Sequence, residues 1–176
     1  MLTTYGNNSL FKTIYKKLKT IFTPKEATAA AIWQAKGNDI SHAYWMFATP
    51  VNMQLGRDSY YLSDPALLSV SPQESIALIE SLNTHFAGLG YTFYLVDDIW
   101  LLGLNSDPRI TTTHIKQVAN QDIAKHLPVG DGALLWNKLQ NEIQMLLYNH
   151  PVNQVRESKG IPMINSLWCY DLSKSS

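Results

Sequence analysis

The sequence predicts an α+β fold: an antiparallel or mixed sheet of about five strands, with helices packed on it and an N-terminal helical pair. Two observations lead to this prediction. The strand-like segments come in hairpin-like pairs, and strands and helices do not alternate regularly along the chain. The second observation disfavours a doubly wound α/β sheet. An apolar fraction of 45% in 176 residues is enough for one hydrophobic core.

The first 41 residues are predicted to form a helical extension, and residues 42–176 the α+β domain. Apolar residues recur at helical spacing from Ser9 to Phe22, with lysines away from that stripe. Thr23-Pro-Lys-Glu26 then supplies an N-cap, a first-turn proline and a capping-box glutamate. The second helix follows through an alanine-rich segment and ends at Gly37.

Segments rich in β-branched and aromatic residues predict the strands of the α+β domain. The predicted strands are residues 44–51, 59–63, 91–96, 100–104 and 167–172. Gly56-Arg57-Asp58 is predicted to turn the chain between the first two strands. Asp97-Asp98 is predicted to join the third and fourth in a hairpin, although neither residue is glycine.

A helix is predicted to begin at Ser71-Pro-Gln-Glu74, which has the pattern of a capping box, and to end near Gly88. Its predicted buried residues are Ile76, Ile79, Leu82 and Phe86. Residues 111–127 fit either one helix or two short ones.

The last long helix is predicted to be capped by Asp131. Its predicted buried residues are Leu135, Leu139, Ile143 and Leu146. It is predicted to end near His150, because Pro151 disfavours α conformation in the residue before it.

Composition disfavours several classes of function. The formal net charge is zero, so no overall field attracts nucleic acid or an anionic membrane. No apolar run reaches the roughly 20 residues of a membrane helix, and we expect a cytoplasmic protein. The single cysteine, Cys169, excludes an intrachain disulfide and a Cys-based zinc site, and its neighbours Trp168 and Tyr170 indicate a buried, inert thiol.

Familiar catalytic and metal-binding motifs are absent from the sequence. The five histidines do not have the spacing of a metal site, and no nucleophile elbow, Walker loop or GxGxxG occurs. We therefore expect neither a metal nor a cofactor, and a non-catalytic protein is favoured over an enzyme.

The polar C-terminal stretch, residues 141–157, is the leading candidate for a binding site. His150, Asn153 and Arg156 are predicted to lie in one loop, where an arginine fork suits a carboxylate or phosphate. The alternative is structural: Arg156 pairs with Glu142 or Asp58 and locks the loop against the sheet. Amides in such a stretch usually tie backbone together, since each carries donors and an acceptor.

Four further groups of polar residues each have a functional and a structural interpretation. Asn141, with Asn137 and Gln144 on the same helical side, binds a ligand or partner, or the row forms a solvated face or fixes a neighbouring loop. Arg57 and Asp58 form half of an anion site or an ordinary turn pair. Asp97-Asp98 holds a cation or forms a polar turn. The lysines at positions 12, 16, 17 and 19 contact a membrane surface or nucleic acid, or they dock onto the acidic remainder of the chain or form a solvated face.

A family resemblance lies in the order of these residues. The pattern comprises Asn141-Glu-Ile-Gln-Met-Leu-Leu, His150-Pro-Val-Asn153, Arg156-Glu, Asn165-Ser-Leu-Trp168, Tyr44-Trp45, Thr49-Pro-Val and Arg57-Asp58. Over roughly residues 42–170 it resembles the RpfE-type regulatory proteins of proteobacteria, some of which are loosely labelled phosphoglycerate-mutase-like. Members are usually longer at the N-terminus, so the resemblance implies a fragment or a short version.

The resemblance implies a cytoplasmic bacterial protein of undefined biochemistry. The function expected first is a non-catalytic regulatory or binding module that recognises a partner protein or a small anionic ligand near residues 150–156. The mutase label implies the alternative of a phosphoryl-handling enzyme, with Arg57, Arg156 and His150 meeting at a phosphate, or an accessory part of such a protein. Mutases of the cofactor-independent kind use two metals and clustered ligands, so the catalytic part is then expected outside this chain.

Overall fold

Four antiparallel strands form the central sheet. A computed structural model describes residues 27–39, 41–55 and 60–175. The strands of the sheet are β1 (Tyr44–Val51), β4 (Tyr91–Val96), β5 (Ile99–Leu104) and β6 (Ser166–Lys174). Their spatial order is β4-β5-β1-β6, so the last strand lies beside the first. The antiparallel form of the predicted sheet is confirmed.

A separate two-stranded ribbon consists of β2 (Met53–Leu55) and β3 (Tyr60–Leu62). It follows β1 directly and pairs antiparallel, with Met53 opposite Leu62. The prediction made residues 59–63 the return strand of the long first strand; the structure pairs residues 60–62 with this short additional strand instead. The predicted turn at Arg57 and Asp58 lies outside the described residues.

The predicted hairpin at Asp97-Asp98 is confirmed. Val96 pairs with Ile99, which leaves a two-residue turn between β4 and β5. Asp97 has a φ of 55°, and aspartate tolerates this left-handed conformation better than most residues. The Asp97 carboxylate also accepts from Lys36 Nζ at 2.8 Å, so this turn is tied to the N-terminal part of the chain.

The described helices are α1 (Ala29–Ala35), α2 (Pro72–His85), α3 (Ala133–Tyr148) and α4 (Pro151–Ser158), with short 3-10 helices at Pro65–Leu67, Ile115–Gln117 and Ile123–His126. Residues 111–127 therefore contain two short helical turns and no α-helix. None of the helices in these ranges is long and apolar enough to span a membrane. The cytoplasmic location and the domain boundary after residue 41 stay predictions.

Helix α1 begins later than the sequence pattern indicates. Thr28 caps it by accepting from the Ala31 amide at 3.2 Å, whereas the pattern assigned the cap to Thr23. Residues 23–26 and the first predicted helix lie outside the described residues. Ala29 and Ala30 are buried against Trp45, on the sheet face opposite the main core.

Helix α2 has the predicted capping box. Ser71 Oγ accepts from the Glu74 amide at 3.3 Å, and Glu74 Oε2 accepts from the Ser71 amide at 2.8 Å. Ile79, Leu82 and Phe86 are buried as predicted. Ile76 is half exposed, which makes that assignment wrong. The helix turns Ser75 and Leu78 toward the sheet, and residue type alone did not fix this rotation.

Helix α3 differs from its prediction at its start and on one face. Gly132 occupies the N-cap position without a side-chain bond, so Asp131 does not cap the helix. Leu139 and Ile143 are buried as predicted, but Leu135 is 66% exposed. The adjacent Trp136 is buried in the main core instead.

Helix α4 occupies residues that were predicted to form a loop. His150 accepts from the Val152 amide at 3.1 Å as its N-cap, and Pro151 stands at the first helical position. The buried residues of this helix are Asn153 and Arg156. The loop prediction was wrong because a helix that buries polar side chains shows no apolar periodicity.

Candidate functional site

A cleft of about 430 Å³ lies along one side of α3, next to the β2–β3 ribbon and the 3-10 helix Ile123–His126. Its volume falls within the range of small-molecule sites. Apolar side chains that line the cleft are those of Met53, Ile123, Leu127, Pro128 and Trp168. The side formed by α3 is made of amides, namely Asn137, Gln140, Asn141 and Gln144.

The amide side of the cleft follows from helical spacing. Residues three, four and seven positions apart share one side of an α-helix. Gln140 Nε2 donates to the Leu167 carbonyl at 3.2 Å, which fixes that end of the side chain on β6. Gln140 Oε1 is buried and has no hydrogen-bond partner within the described part of the chain. The cleft therefore has one anchored amide with an unused acceptor.

The β2 side of the cleft is held by Asn165. Its Oδ1 accepts from the Met53 amide at 2.7 Å, and its Nδ2 donates to the Met53 carbonyl at 2.8 Å. These are the two hydrogen bonds that a residue of a neighbouring β-strand would make with the Met53 backbone. The amide thus fixes Met53, whose side chain lines the cleft.

Cys169 lines the same cleft and is buried, as its aromatic neighbours indicated. Burial raises the pKa of this thiol to about 12. The thiolate, which is the reactive form, is therefore scarce at neutral pH. Cys169 contributes an uncharged surface to the cleft.

Of the four predicted site residues that the structure describes, Asn141 alone lines this cleft. The other three described residues belong to α4 and its N-cap: His150 and Arg156 bond to side chains of α2, whereas Asn153 bonds to the end of α3 and to the segment before β6. Arg57 and Asp58 lie outside the described residues. Gln140 was not among the predicted site residues, although its position between Asn137 and Asn141 in the same helical row was a usable signal. That a ligand or partner binds through the six predicted residues stays a prediction.

Asn153 ties three backbone groups together from a fully buried position. Its Nδ2 donates to the Leu147 carbonyl at 2.7 Å and to the Ile164 carbonyl at 2.8 Å. Its Oδ1 accepts from the Ile164 amide at 2.8 Å. The end of α3 is thereby joined to the segment that leads into β6.

Arg156 is 1% exposed and bonds three groups of the protein. Its Nε donates to the Pro162 carbonyl at 2.7 Å, one terminal nitrogen donates to Glu74 Oε1 at 2.8 Å, and the other donates to the Leu68 carbonyl. The internal pairing considered from the sequence is present, but with Glu74. Glu142 lies 3.4 Å from His85 instead.

The carboxylate of Glu74 serves both the α2 cap and Arg156. Burial by itself would raise the pKa of Glu74. The bonds from Ser71 and the Arg156 guanidinium outweigh that effect, and the pKa lies below its usual value. Glu74 therefore stays ionised and joins α2 to α4.

His150 combines a capping bond with a contact to α2. Its Nδ1 accepts from the Val152 amide, so in the neutral ring the hydrogen is on Nε2. Nε2 then donates to Ser81 Oγ, 2.9 Å away. A histidine that donates to a serine cannot take its proton, so this pair is not an activated nucleophile.

Acidification is expected to remove the His150 cap. Burial lowers the pKa of His150, so the fold favours the neutral ring. The neutral His150 ring stabilises the folded state fully at a pH above its ordinary pKa of 6.5. This stabilisation is lost as the pH falls through the lower pKa that His150 has in the folded chain. The loss should approach about 1 kcal/mol, the usual contribution of an N-cap. Urea unfolding from about pH 8 to about pH 5, the range in which histidines titrate, measures it.

The matched variant for this experiment is His150→Asn. Asparagine accepts the same amide but does not titrate in this range. The four other histidines are common to both proteins, so their contributions cancel in the difference. The stability advantage of the wild-type chain should shrink as the pH falls. Two parallel pH profiles would contradict the assigned cap.

The chain is similar in part to two phosphoglycerate mutases. No family model matches the chain. The chain is 28% identical over 133 residues to a probable 2,3-bisphosphoglycerate-independent phosphoglycerate mutase of Geobacter sulfurreducens, a match that covers 71% of this chain and 32% of the relative. The chain therefore spans about a third of that relative's length. The RpfE-type resemblance stays a prediction.

The fold is similar to that of a solved mutase. The cofactor-independent phosphoglycerate mutase from Thermoplasma acidophilum superposes with a TM-score of 0.59 at 18% identity. The match covers 89% of this chain and 44% of that one. It supports the α+β architecture.

Proposed function

We propose that this chain is an accessory part of a phosphoglycerate-mutase-like protein and takes part in phosphoryl handling without carrying the transfer centre. The observation that carries the proposal is the 133-residue similarity to the Geobacter sulfurreducens mutase. Because the match covers about a third of that enzyme, a supporting role for the corresponding region is the simplest interpretation. This proposal develops the alternative function implied by the sequence, in preference to a regulatory module.

The chemistry of the described side chains supports an accessory role. Cofactor-independent mutases use two metals, and no group of three or more His, Cys, Asp or Glu that suits a metal occurs within 27–39, 41–55 and 60–175. These residues do not fit a two-metal centre. His150 donates its ring hydrogen to Ser81, so it does not act as a base toward that hydroxyl. The Cys169 thiol has a pKa of about 12, so it is not a nucleophile at neutral pH.

The predicted meeting of Arg57, Arg156 and His150 at a phosphate receives no support from the two described members. Arg156 donates to Glu74 and two carbonyls. His150 is occupied by the Val152 amide and Ser81. Phosphate recognition by this chain would therefore need cationic groups other than this pair.

Binding and turnover of phosphoglycerate test the proposal separately. The purified full chain is titrated with phosphoglycerate by calorimetry, and mutase activity is assayed with manganese present. We expect saturable binding without turnover. Glycerate, which lacks the phosphate, should bind at least about tenfold more weakly, because charge-assisted hydrogen bonds to the phosphate are lost.

Two results would overturn the proposal in different ways. Turnover proportional to the concentration of this chain would show that it has its own transfer centre. Absence of both binding and turnover would remove the link to phosphoryl handling. A heat-treated sample of the same preparation controls for a contaminating mutase.

A further inference from the structure

We propose that the cleft along α3 is a binding site for a small uncharged molecule that has one apolar face and one hydrogen-bonding edge. The inference rests on the geometry of the cleft and is independent of the proposed phosphoryl-handling role. At about 430 Å³ the cleft has the size of a small-molecule site.

The apolar face of the ligand is expected to lie on the side opposite α3. Ile123, Leu127 and Pro128 line this part of the cleft. Leu127 is 46% exposed, so it still has apolar surface that a ligand can remove from water. Burial of this surface provides the non-directional part of the binding energy.

The hydrogen-bonding edge is expected to face the amides of α3. Asn137 and Asn141 are exposed and line the cleft, and each offers donors and an acceptor. Gln140 adds the buried oxygen that lacks a partner in the described structure. The bond from its NH₂ end to the Leu167 carbonyl settles which end of the amide is the oxygen. A small rotation of the soft terminal torsion that keeps this bond presents the oxygen to a ligand N–H or O–H.

The charge of the lining selects an uncharged ligand. All twelve side chains that line the cleft in the described structure are of uncharged types, and the raised pKa keeps Cys169 protonated. An ionised ligand would lose water there without meeting an opposite charge. A carboxylate or phosphate is therefore disfavoured relative to an amide or alcohol of the same shape.

The parts of the cleft are held before any ligand binds. Asn165 fixes Met53, and the Leu167 carbonyl holds Gln140. Trp168 Nε1 donates to the Thr113 carbonyl at 2.8 Å. Side chains that are already ordered lose little conformational entropy on binding, which favours a specific site.

Benzamide and benzoate are the matched probes for this cleft. They have the same ring and nearly the same shape, but benzamide is neutral and donates hydrogen bonds, whereas benzoate is anionic and only accepts. Titrations are followed by the side-chain amide NMR signals of Asn137, Gln140 and Asn141. We expect benzamide to bind with a Kd on the order of 1 mM, reasonable for a fragment of this size. Benzoate should bind at least about tenfold more weakly.

Three variants locate the binding. Asn141→Ala removes an exposed amide from the cleft and should weaken benzamide binding by about threefold to tenfold. Gln140→Met removes the unpartnered acceptor and should do the same, with thermal melting as the check on folding. Asn149→Ala, an exposed amide beyond the end of α3 and outside the lining, should leave the Kd unchanged.

The proposal is overturned if benzamide causes no saturable shifts in these three signals. Equal affinity for benzoate would also overturn it, since the selection for an uncharged ligand would be absent. So would an unchanged Kd in both cleft variants. Phosphoglycerate binding plays no part in these outcomes, so they are distinguishable from a failure of the proposed function.

Discussion

Replacing Arg156 by methionine is expected to lower the free energy of unfolding by about 3–5 kcal/mol, the usual cost of removing one partner from a buried ion pair. Methionine fills much of the same space but donates no hydrogen bond. Glu74 then loses its cation, and the carbonyls of Leu68 and Pro162 lose their donor. Urea denaturation with the linear extrapolation gives the difference directly.

Lys159→Met provides the matched control for Arg156. It also removes one positive charge from the α4 segment, but Lys159 is exposed. Its expected effect lies within about 0.5 kcal/mol. If the two variants were equally stable, the buried network around Arg156 would not hold α2 and α4 together. Arg156→Lys should be intermediate, because an ammonium cannot reproduce the fork of the guanidinium.

Asn153→Ala is expected to destabilise the chain by about 3 kcal/mol or more, since each unpaired buried polar group costs about 1–3 kcal/mol. The carbonyls of Leu147 and Ile164 and the amide of Ile164 all lose their partner. Alanine offers no replacement for these bonds, and the site is fully buried. Chemical denaturation measures the loss, and amide hydrogen exchange at Ile164 shows whether it is local.

Gln154→Ala is the control for Asn153. This neighbouring amide is exposed, and its 3.4 Å bond to the Asn149 carbonyl lies at the surface. Its removal should change stability by no more than about 0.5 kcal/mol. A loss as small as this in Asn153→Ala would refute the structural role of the buried amide. If the Ile164 amide of Asn153→Ala stayed protected from hydrogen exchange, that result would also refute this structural role.

These two variants also bear on the predicted binding role of the 150–156 segment. Asn153 and Arg156 are buried and bonded to protein groups, so their loss is expected to act on folding first. A variant that folds normally but fails to bind a ligand would support the predicted surface role. The cleft along α3 does not depend on these residues and is tested separately.

Local patterns predicted much of the fold. The aromatic and β-branched runs located the strands of the central sheet, and the capping box at Ser71 and Glu74 marked the start of α2. The hairpin at Asp97-Asp98 followed from two adjacent strand-like runs. These features can be predicted from the sequence because each depends on residues a few positions apart.

Local patterns did not predict which face of each helix is buried, nor that residues 151–158 form helix α4. Ile76 and Leu135 are apolar and have helical spacing, yet both are exposed. Which of several apolar residues becomes buried depends on the surface that the sheet offers. Helix α4 buries Asn153 and Arg156, and two partners of Arg156, Glu74 and Leu68, lie 82 and 88 positions away in the chain.

Local sequence patterns were sufficient for the α+β class, the positions of the sheet strands and the tendency of the C-terminal amides to bind backbone. The pairing of Arg156 with Glu74, 82 positions away, is visible only in the folded chain, as is the cleft beside the amide row of α3. The difference lies in the range of the interactions. Periodicity, caps and turns arise within a few residues, whereas the cleft and the buried ion pair require packing of segments that are distant in sequence.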